Sequence, residues 1–280
     1  MQRANAGFIQ ARDASRAAGG DAAPPSAGVG FEAAREIFRL AGHFHNRALQ
    51  YFLLDGWVTE HVRILQEVSA TYKTMYFWEA DPKRTAAMMK RRVQMLTPLV
   101  EALNPKVYPA FCRQLCFEAA EVYQELYELK ANSVYVYDAF VSGARLGDRG
   151  DEPLGGDVRR AARCNELARK SLQYYGTFVD SFHLDGKVPD RIEKDSCRAY
   201  LTARLNRARL RTKMHGLGRD ESVREHREAL REYEWILDYG ARHAEVTSPD
   251  IGMAQELQLC REMAEMMPSK LDRMAAGRPI

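Results

Sequence analysis

A chain of 280 residues with 46% apolar and 28% charged side chains can build a sizeable core and belongs to the folded, water-facing class. Its formal net charge of +3 arises from 41 basic and 38 acidic residues mixed along most of its length, so neither nucleic acid nor an anionic membrane is demanded as a partner. Apolar runs stay short of the roughly 18 residues that a membrane helix needs, and membrane insertion is not expected.

Residues 1–30 are Ala, Gly, Ser, Pro and Arg with few large apolar groups, a composition that predicts a disordered low-complexity tail. Arg3, Arg12 and Arg16 hint at a transit peptide, but Asp13 and Asp21 oppose it. From Phe31 a helical period runs to about Leu54, with Ile37, Leu40, Phe44, Ala48, Tyr51 and Phe52 on or near one face. Asp55 and Gly56 stop it, and a second helix over 59–80 carries Val62, Leu65, Ser69, Tyr72 and Tyr76.

The stretch 85–130 organises the chain. Met89, Val93, Leu96, Val100 and Leu103 form one apolar stripe, and Tyr108, Phe111, Leu115, Ala119, Val122, Leu126 and Leu129 form another. Between them Asn104 is placed to cap the new helix and Pro105 to take its first position. So short a connection forces an antiparallel helical hairpin. Asp81-Pro82 and Ser248-Pro249 repeat the cap-and-proline device, whereas Pro98 falls inside a helical pattern and predicts a kink.

Beyond Lys130 a short segment with Val134, Tyr135, Tyr137 and Phe140 is ambiguous between strand and helix, and is assigned to helix because no strand partner is visible. Residues 142–156 hold five glycines and predict a long surface loop without the Lys-Ser or Lys-Thr of a phosphate cradle. Helices are expected over 157–182, 189–214, 220–243 and 249–276, with Gly216 and Gly218 breaking between two of them and a short tail at 277–280. Three helices share a small-Leu-x-(x)-Tyr pattern, beginning at Ala48, Ser171 and Ala229. That recurrence, in helices of roughly 20 to 28 residues, predicts an all-α fold, a tetratricopeptide-like α-solenoid of antiparallel helical pairs over 31–276.

Reactive constellations are not visible. The five cysteines include no Cys-x-x-Cys and are read as buried thiols of a protein in a reducing compartment. His43 and His45 point about 200° apart on a helix and cannot share a metal. With no HExxH pair, di-iron pattern or nucleophile elbow, the chain is read as a non-enzyme with no catalytic residues, no metal and no cofactor. Arg191, Lys194, Arg198, Arg204, Arg207, Arg209, Arg211 and Lys213 spread around their helix, and Glu221, Glu225, Glu228, Glu232, Glu234 and Asp238 on the next offer exposed partners worth about 0 to 1 kcal/mol each.

Four segments carry a resemblance: LDGWVTEH at 54–61, KRRVQMLTPLVEALNPKVY at 90–108, YYGTFVDSF at 174–182 and MMPSKLDRM at 266–274. In consistent order over 31–274 they resemble the C-terminal region of the KIF-binding protein family, kinesin-binding regulators of motors. The resemblance implies a monomeric solenoid that grips kinesin motor domains and inhibits their association with microtubules, cytoplasmic and cytoskeleton-associated, without catalysis or cofactor. The low-complexity tail stands where that family has its N-terminal array, and the loop 142–156 has no counterpart there. Solenoids bind through concave faces and inter-helix loops, which selects Asp55, Thr59 and Glu60 at the first turn and Asn104 and Lys106 at the Asn-Pro turn as partner-binding candidates. The alternatives are a helical-repeat adaptor for a peptide or protein subunit and, in a different class, a small helical enzyme.

Overall fold

The computed structural model describes residues 30–142 and 157–277, with side chains described outside 133–142 and 157–159. The expected tail 1–30, the loop 142–156 and the tail 277–280 lie, but for Gly30, Ser142 and Gly277, outside the described residues. The described residues form eight α-helices: α1 (Phe31–Tyr51), α2 (Val58–Met75), α3 (Pro82–Ala102), α4 (Pro109–Ser142), α5 (Asp157–Asp180), α6 (Lys194–Lys213), α7 (Arg219–Arg242) and α8 (Ala254–Ala275), with a 3-10 turn at Ala244–Thr247. Extended pairing among them is limited to a single bridge between Leu184 and Lys187. The fold is all-α. The chain divides into two compact units, Met1–Asp81 and Pro82–Ile280.

In the first unit α1 packs on α2. Of the face that periodicity singles out, Ile37, Leu40, Phe44 and Tyr51 are turned to solvent at 57–67% exposure, while Ala48 and Phe52 are half-buried. A second apolar row of Phe38, Ala41 and Ala48 is half-buried instead, with Phe38 edge-on to Tyr72 of α2 at 5.0 Å. A helix with two apolar rows leaves the choice of inner face to its neighbour, and α2 takes the row with the smaller residues.

In the second unit each helix packs chiefly on its neighbours in the chain, α3 on α4, then α5, α6, α7 and α8 in turn, which is the packing order of an α-solenoid of antiparallel pairs. The expected stripes are the core: Met89, Val93, Leu96 and Leu103 of α3, and Leu115, Ala119, Val122 and Leu126 of α4, are all buried. α4 also buries Cys116, Ala120, Tyr127 and Ala131 within the core cluster that holds α5 and α6, so it is covered on two sides. The small residues of the repeated pattern mark close approaches: Ser171 is fully buried and its hydroxyl donates to the Ala120 carbonyl at 2.8 Å, and Ala229 is likewise fully buried. Tyrosines fasten one helix to the next but one. The Tyr127 hydroxyl on α4 donates to the Lys213 carbonyl at the end of α6, and the Tyr175 hydroxyl on α5 meets Gln124 of α4 at 3.2 Å and Asn206 of α6 at 2.9 Å.

Several expectations are corrected. Asn104 does not cap α4: its side-chain oxygen accepts from the Lys106 amide at 2.9 Å and its carbonyl from the Val107 and Tyr108 amides, closing a turn of its own. The proline at the first position of α4 is Pro109. The segment beyond Lys130 is helical as assigned, but it is no separate element: α4 runs through it for 34 residues. Pro98 lies inside α3, which continues past it to Ala102. α6 begins at Lys194, not 189, because Asp185 (φ 50) and Gly186 (φ 74) turn a two-residue hairpin before it. Pro249 starts no helix; Gly252, at φ 65, completes a turn and α8 begins at Ala254.

The basic face of α6 does meet α7, yet not as exposed pairs. Arg204 lies 2.6 Å and Arg207 3.1 Å from Glu232, with side chains only 10–19% exposed, and Arg211 pairs with Glu225. The Arg204 guanidinium also stacks 3.7 Å from the Trp235 ring centroid.

Candidate partner-binding surfaces

The five candidate residues fall in two turns, one in each unit. Between α1 and α2 the chain reverses through Leu53, whose carbonyl accepts from the Gly56 and Trp57 amides, and the His61 ring nitrogen Nδ1 donates to the Phe52 carbonyl at 2.7 Å. Asp55 is exposed at the tip of this turn, while Thr59 and Glu60 are half-buried in the first turn of α2, where the Glu60 charge suits the positive end of the helix. Around them lies an aromatic group that sequence reasoning missed: Tyr51, Phe52 and Trp57 have mutual centroid distances of 5.0 to 6.0 Å, and Trp57 is 45% exposed. The signal was present in LDGWVTEH, but an exposed tryptophan cannot be told from a core one by periodicity.

Asn104 and Lys106 are both exposed, with Val107 beside them 61% exposed. They sit at one edge of the second unit, where three connections meet. Arg113 at the start of α4 donates to the Ser181 carbonyl at 2.9 Å and to its hydroxyl, and lies 3.8 Å over the Phe182 ring, tying the first connection to the second. The second is tied to the third by Arg191 with Glu245 at 2.8 Å, Lys194 with Asp250 at 2.6 Å and Asp190 with Arg242 at 2.8 Å. Leu184, 69% exposed at the hairpin, adds an apolar point to this charged edge. Its Asp185-Gly186 pair was a legible hairpin signal that the helical reading passed over.

A cleft of about 280 Å³ opens on this edge, with Arg191, Lys194, Glu245 and Asp250 at its rim and Cys197 in its wall. Lys194 holds the Asp250 carboxyl below its ordinary range, and the rim cations are committed to the rim carboxylates. Burial pushes the Cys197 thiol up, which makes it a poor nucleophile at neutral pH. The arrangement offers hydrogen bonds and charge to a docking surface rather than a reactive group. All five cysteines are free and buried, and among the described residues no group of His, Cys, Asp or Glu is placed to hold a metal. Nor is any described helix long and apolar enough to cross a membrane.

A family model described as KIF-1 binding protein C terminal matches residues 13–274. The KIF-binding proteins of Danio rerio and Rattus norvegicus are both 34% identical to this chain, over 87% and 88% of it, and that of Homo sapiens is 33% identical over 87%. The chain spans only 36–37% of the length of these curated relatives. A de novo designed helical repeat protein aligns with 88% of this chain and 97% of its own at 14% identity, but its TM-score of 0.32 carries no argument. The match over nearly the whole chain, on a packed array of helices in which the four resembling segments take their places, assigns it: the chain belongs to the KIF-binding protein family, over the part of that family described as C terminal.

Proposed function

We propose that this protein binds a kinesin motor domain as a stoichiometric regulator and reduces the motor's association with microtubules. The observation that carries the reading is identity of about a third, over 87–88% of the chain, with proteins named for binding KIF. An all-α array whose turns gather exposed charge and apolar points is a physically suitable scaffold for a protein partner. In this reading Asp55, Thr59 and Glu60 contact the partner from the first unit and Asn104 and Lys106 from the second, with Trp57 and Val107 as apolar points beside them. The binding is that of a monomer in the cytoplasm, with no cofactor and no covalent chemistry.

The test is co-sedimentation of a kinesin motor domain with microtubules across a titration of this protein. The expected result is a dose-dependent loss of motor from the pellet that approaches completion at a stoichiometric ratio. A folded sample that leaves the pelleted motor unchanged, across a panel of motors, refutes the reading for this chain.

A further inference from the structure

The cleft between the α5–α6 and α7–α8 connections has two walls of opposite charge. Arg191 and Lys194 stand on one, where the chain enters α6, and Glu245 and Asp250 on the other, with Ile192, Cys197 and Ile251 between them, each no more than 4% exposed. The charges face each other as Arg191–Glu245 at 2.8 Å and Lys194–Asp250 at 2.6 Å, with side chains 36–72% exposed. Exposed pairs of this kind contribute little each, so exchanging partners is easy. The walls do not depend on them. Below the rim the Ile192 amide donates to the Tyr239 hydroxyl at 3.0 Å, and the Arg198 guanidinium donates to the Ile251 carbonyl and, at 3.0 Å, to that of Gly252. The acidic wall is closed on itself as well, the Gly252 amide donating to the Ser248 carbonyl at 2.7 Å and the Met253 amide to that of Val246 at 3.1 Å. An occupant that takes over the rim charges therefore meets a frame already built.

Ser248 supplies a second, independent sign. Ser248-Pro249 is the cap-and-proline device, yet it starts no helix: Ser248 is extended, at φ −62 and ψ 156, and borders the cleft. Its hydroxyl is buried and has no hydrogen-bond partner among the described residues, although a hydroxyl inside a folded protein ordinarily finds one. A buried hydroxyl without a partner is a standing cost that a ligand carbonyl or amide removes. At about 280 Å³ the cleft falls at the small end of the range for ligand pockets, about 300–1,000 Å³, and suits one large side chain with its stretch of backbone rather than a cofactor.

We propose that this cleft is a binding site for an extended peptide segment of a protein partner in which one apolar residue stands between an acidic and a basic one. The apolar side chain lies over Ile192, Cys197 and Ile251, the acidic one pairs with Arg191 and Lys194, the basic one with Glu245 and Asp250, and a peptide group of the segment reaches the Ser248 hydroxyl. Charge complementarity selects this occupant. A wholly acidic or wholly basic segment leaves one wall facing like charge, and a wholly apolar one desolvates both ion pairs without replacing them. Opposed walls also give the segment a direction, because reversing its order sets each charge against its own kind. The site lies within the second unit and includes none of the five residues assigned to motor contact, so it stands or falls separately from the proposed function.

The test uses the whole chain and four probes: short peptides, acetylated and amidated at their ends, centred on Glu-Leu-Lys, Lys-Leu-Glu or Gln-Leu-Gln in an otherwise Gly-Ser sequence, and free leucine. Binding is measured by titration calorimetry at low salt, with ligand up to about 1 mM. The expected result is that one of the two charged orders binds, while the reverse order and the neutral peptide bind at least tenfold more weakly and free leucine does not bind. Sodium chloride at about 1 M is expected to weaken the preferred peptide severalfold. Exchanging the walls, by Arg191→Glu, Lys194→Glu, Glu245→Arg and Asp250→Lys together, keeps both pairs and is expected to switch the preference to the opposite order, which a merely structural role of these charges does not do. Ser248→Ala is expected to weaken the preferred peptide severalfold without lowering Tm, and it decides the matter if the exchanged protein does not fold. A folded sample that binds neither charged peptide overturns the proposal, as do equal binding of the two orders, a neutral peptide as tight as the charged ones, a preference that survives exchange of the walls, or Ser248→Ala without effect on binding. Free leucine bound as tightly as the preferred peptide overturns it in favour of a small zwitterion.

Discussion

Neutralising Glu232 is expected to be among the most damaging polar changes in the second unit. Its carboxylate is the shared counter-charge of Arg204 at 2.6 Å and Arg207 at 3.1 Å, and its side chain is 10% exposed. Glu232→Gln preserves shape and removes the charge, leaving two buried guanidiniums facing each other. Removing one partner of a buried pair costs about 3–5 kcal/mol, because the remaining charge keeps its desolvation penalty without its attraction. For a unit of 199 residues each kcal/mol moves Tm by roughly 2–4 °C, so the expected fall is roughly 6–20 °C in a CD or calorimetric melt at neutral pH. Glu228→Gln is the control: it breaks a pair of Glu228 with Arg231 on the solvent side of the same helix, 39% and 64% exposed, worth about 0–1 kcal/mol. Sodium chloride at 1 M is expected to erase the control's effect and leave most of that of Glu232, since buried charges are screened much less. Equal shifts for the two variants would refute the reasoning and place the Arg204–Glu232–Arg207 cluster in solvent.

Tyr175→Phe removes the hydroxyl that joins Gln124 of α4 to Asn206 of α6 and leaves both amides short of a partner, with an expected loss of about 1–3 kcal/mol by denaturant titration. An aromatic thiol reagent is expected to titrate none of the five cysteines in the native protein and all five in denaturant, because all are buried and burial pushes Cys116 up to about 11 and Cys260 up to about 12. The same shifts predict alkaline lability. Above pH 9 the unfolded thiol loses its proton while the folded one keeps it, so stability is full below pH 9 and falls as pH rises toward 11–12, and Cys260→Ala is expected to flatten that slope. Asp55→Lys with Glu60→Lys is expected to raise at least tenfold the amount of this protein needed to clear the motor from the microtubule pellet, with only the small fall in Tm that reversing the Glu60 charge at the start of α2 entails, about 0.3–1 kcal/mol; an unchanged titration removes the first turn from the proposed contact surface.

Element existence was legible because helices of the second unit bury a periodic apolar stripe, as Met89, Val93, Leu96 and Leu103 do, and a stripe survives any error of a residue or two at its ends. Boundaries were not, for a reason visible at Asn104-Pro105. The same two residues that cap a helix also close a turn, and only the chain that follows decides; Tyr108 and Pro109 supplied a second, competing start. The 34-residue span of α4 was hidden by Val134 and Tyr135, whose strand preference is overridden by a helix already propagating from a buried anchor. The buried Arg204–Glu232 pair was half legible: opposite charges on successive helices foretold the partners, but a helical wheel shows direction and not depth.

The candidate surfaces differ in kind from the core in how far a single sequence can reach them. Burial of Leu115 is a relation of the chain to itself, so the periodicity that places it also explains it. Ile37, Leu40 and Phe44 are exposed, yet the periodicity that marks them is the same as for any core helix. α1 therefore looked in sequence like a helix with one good apolar face, when it carries two. The distinction came from the packing of α2, which claims Phe38.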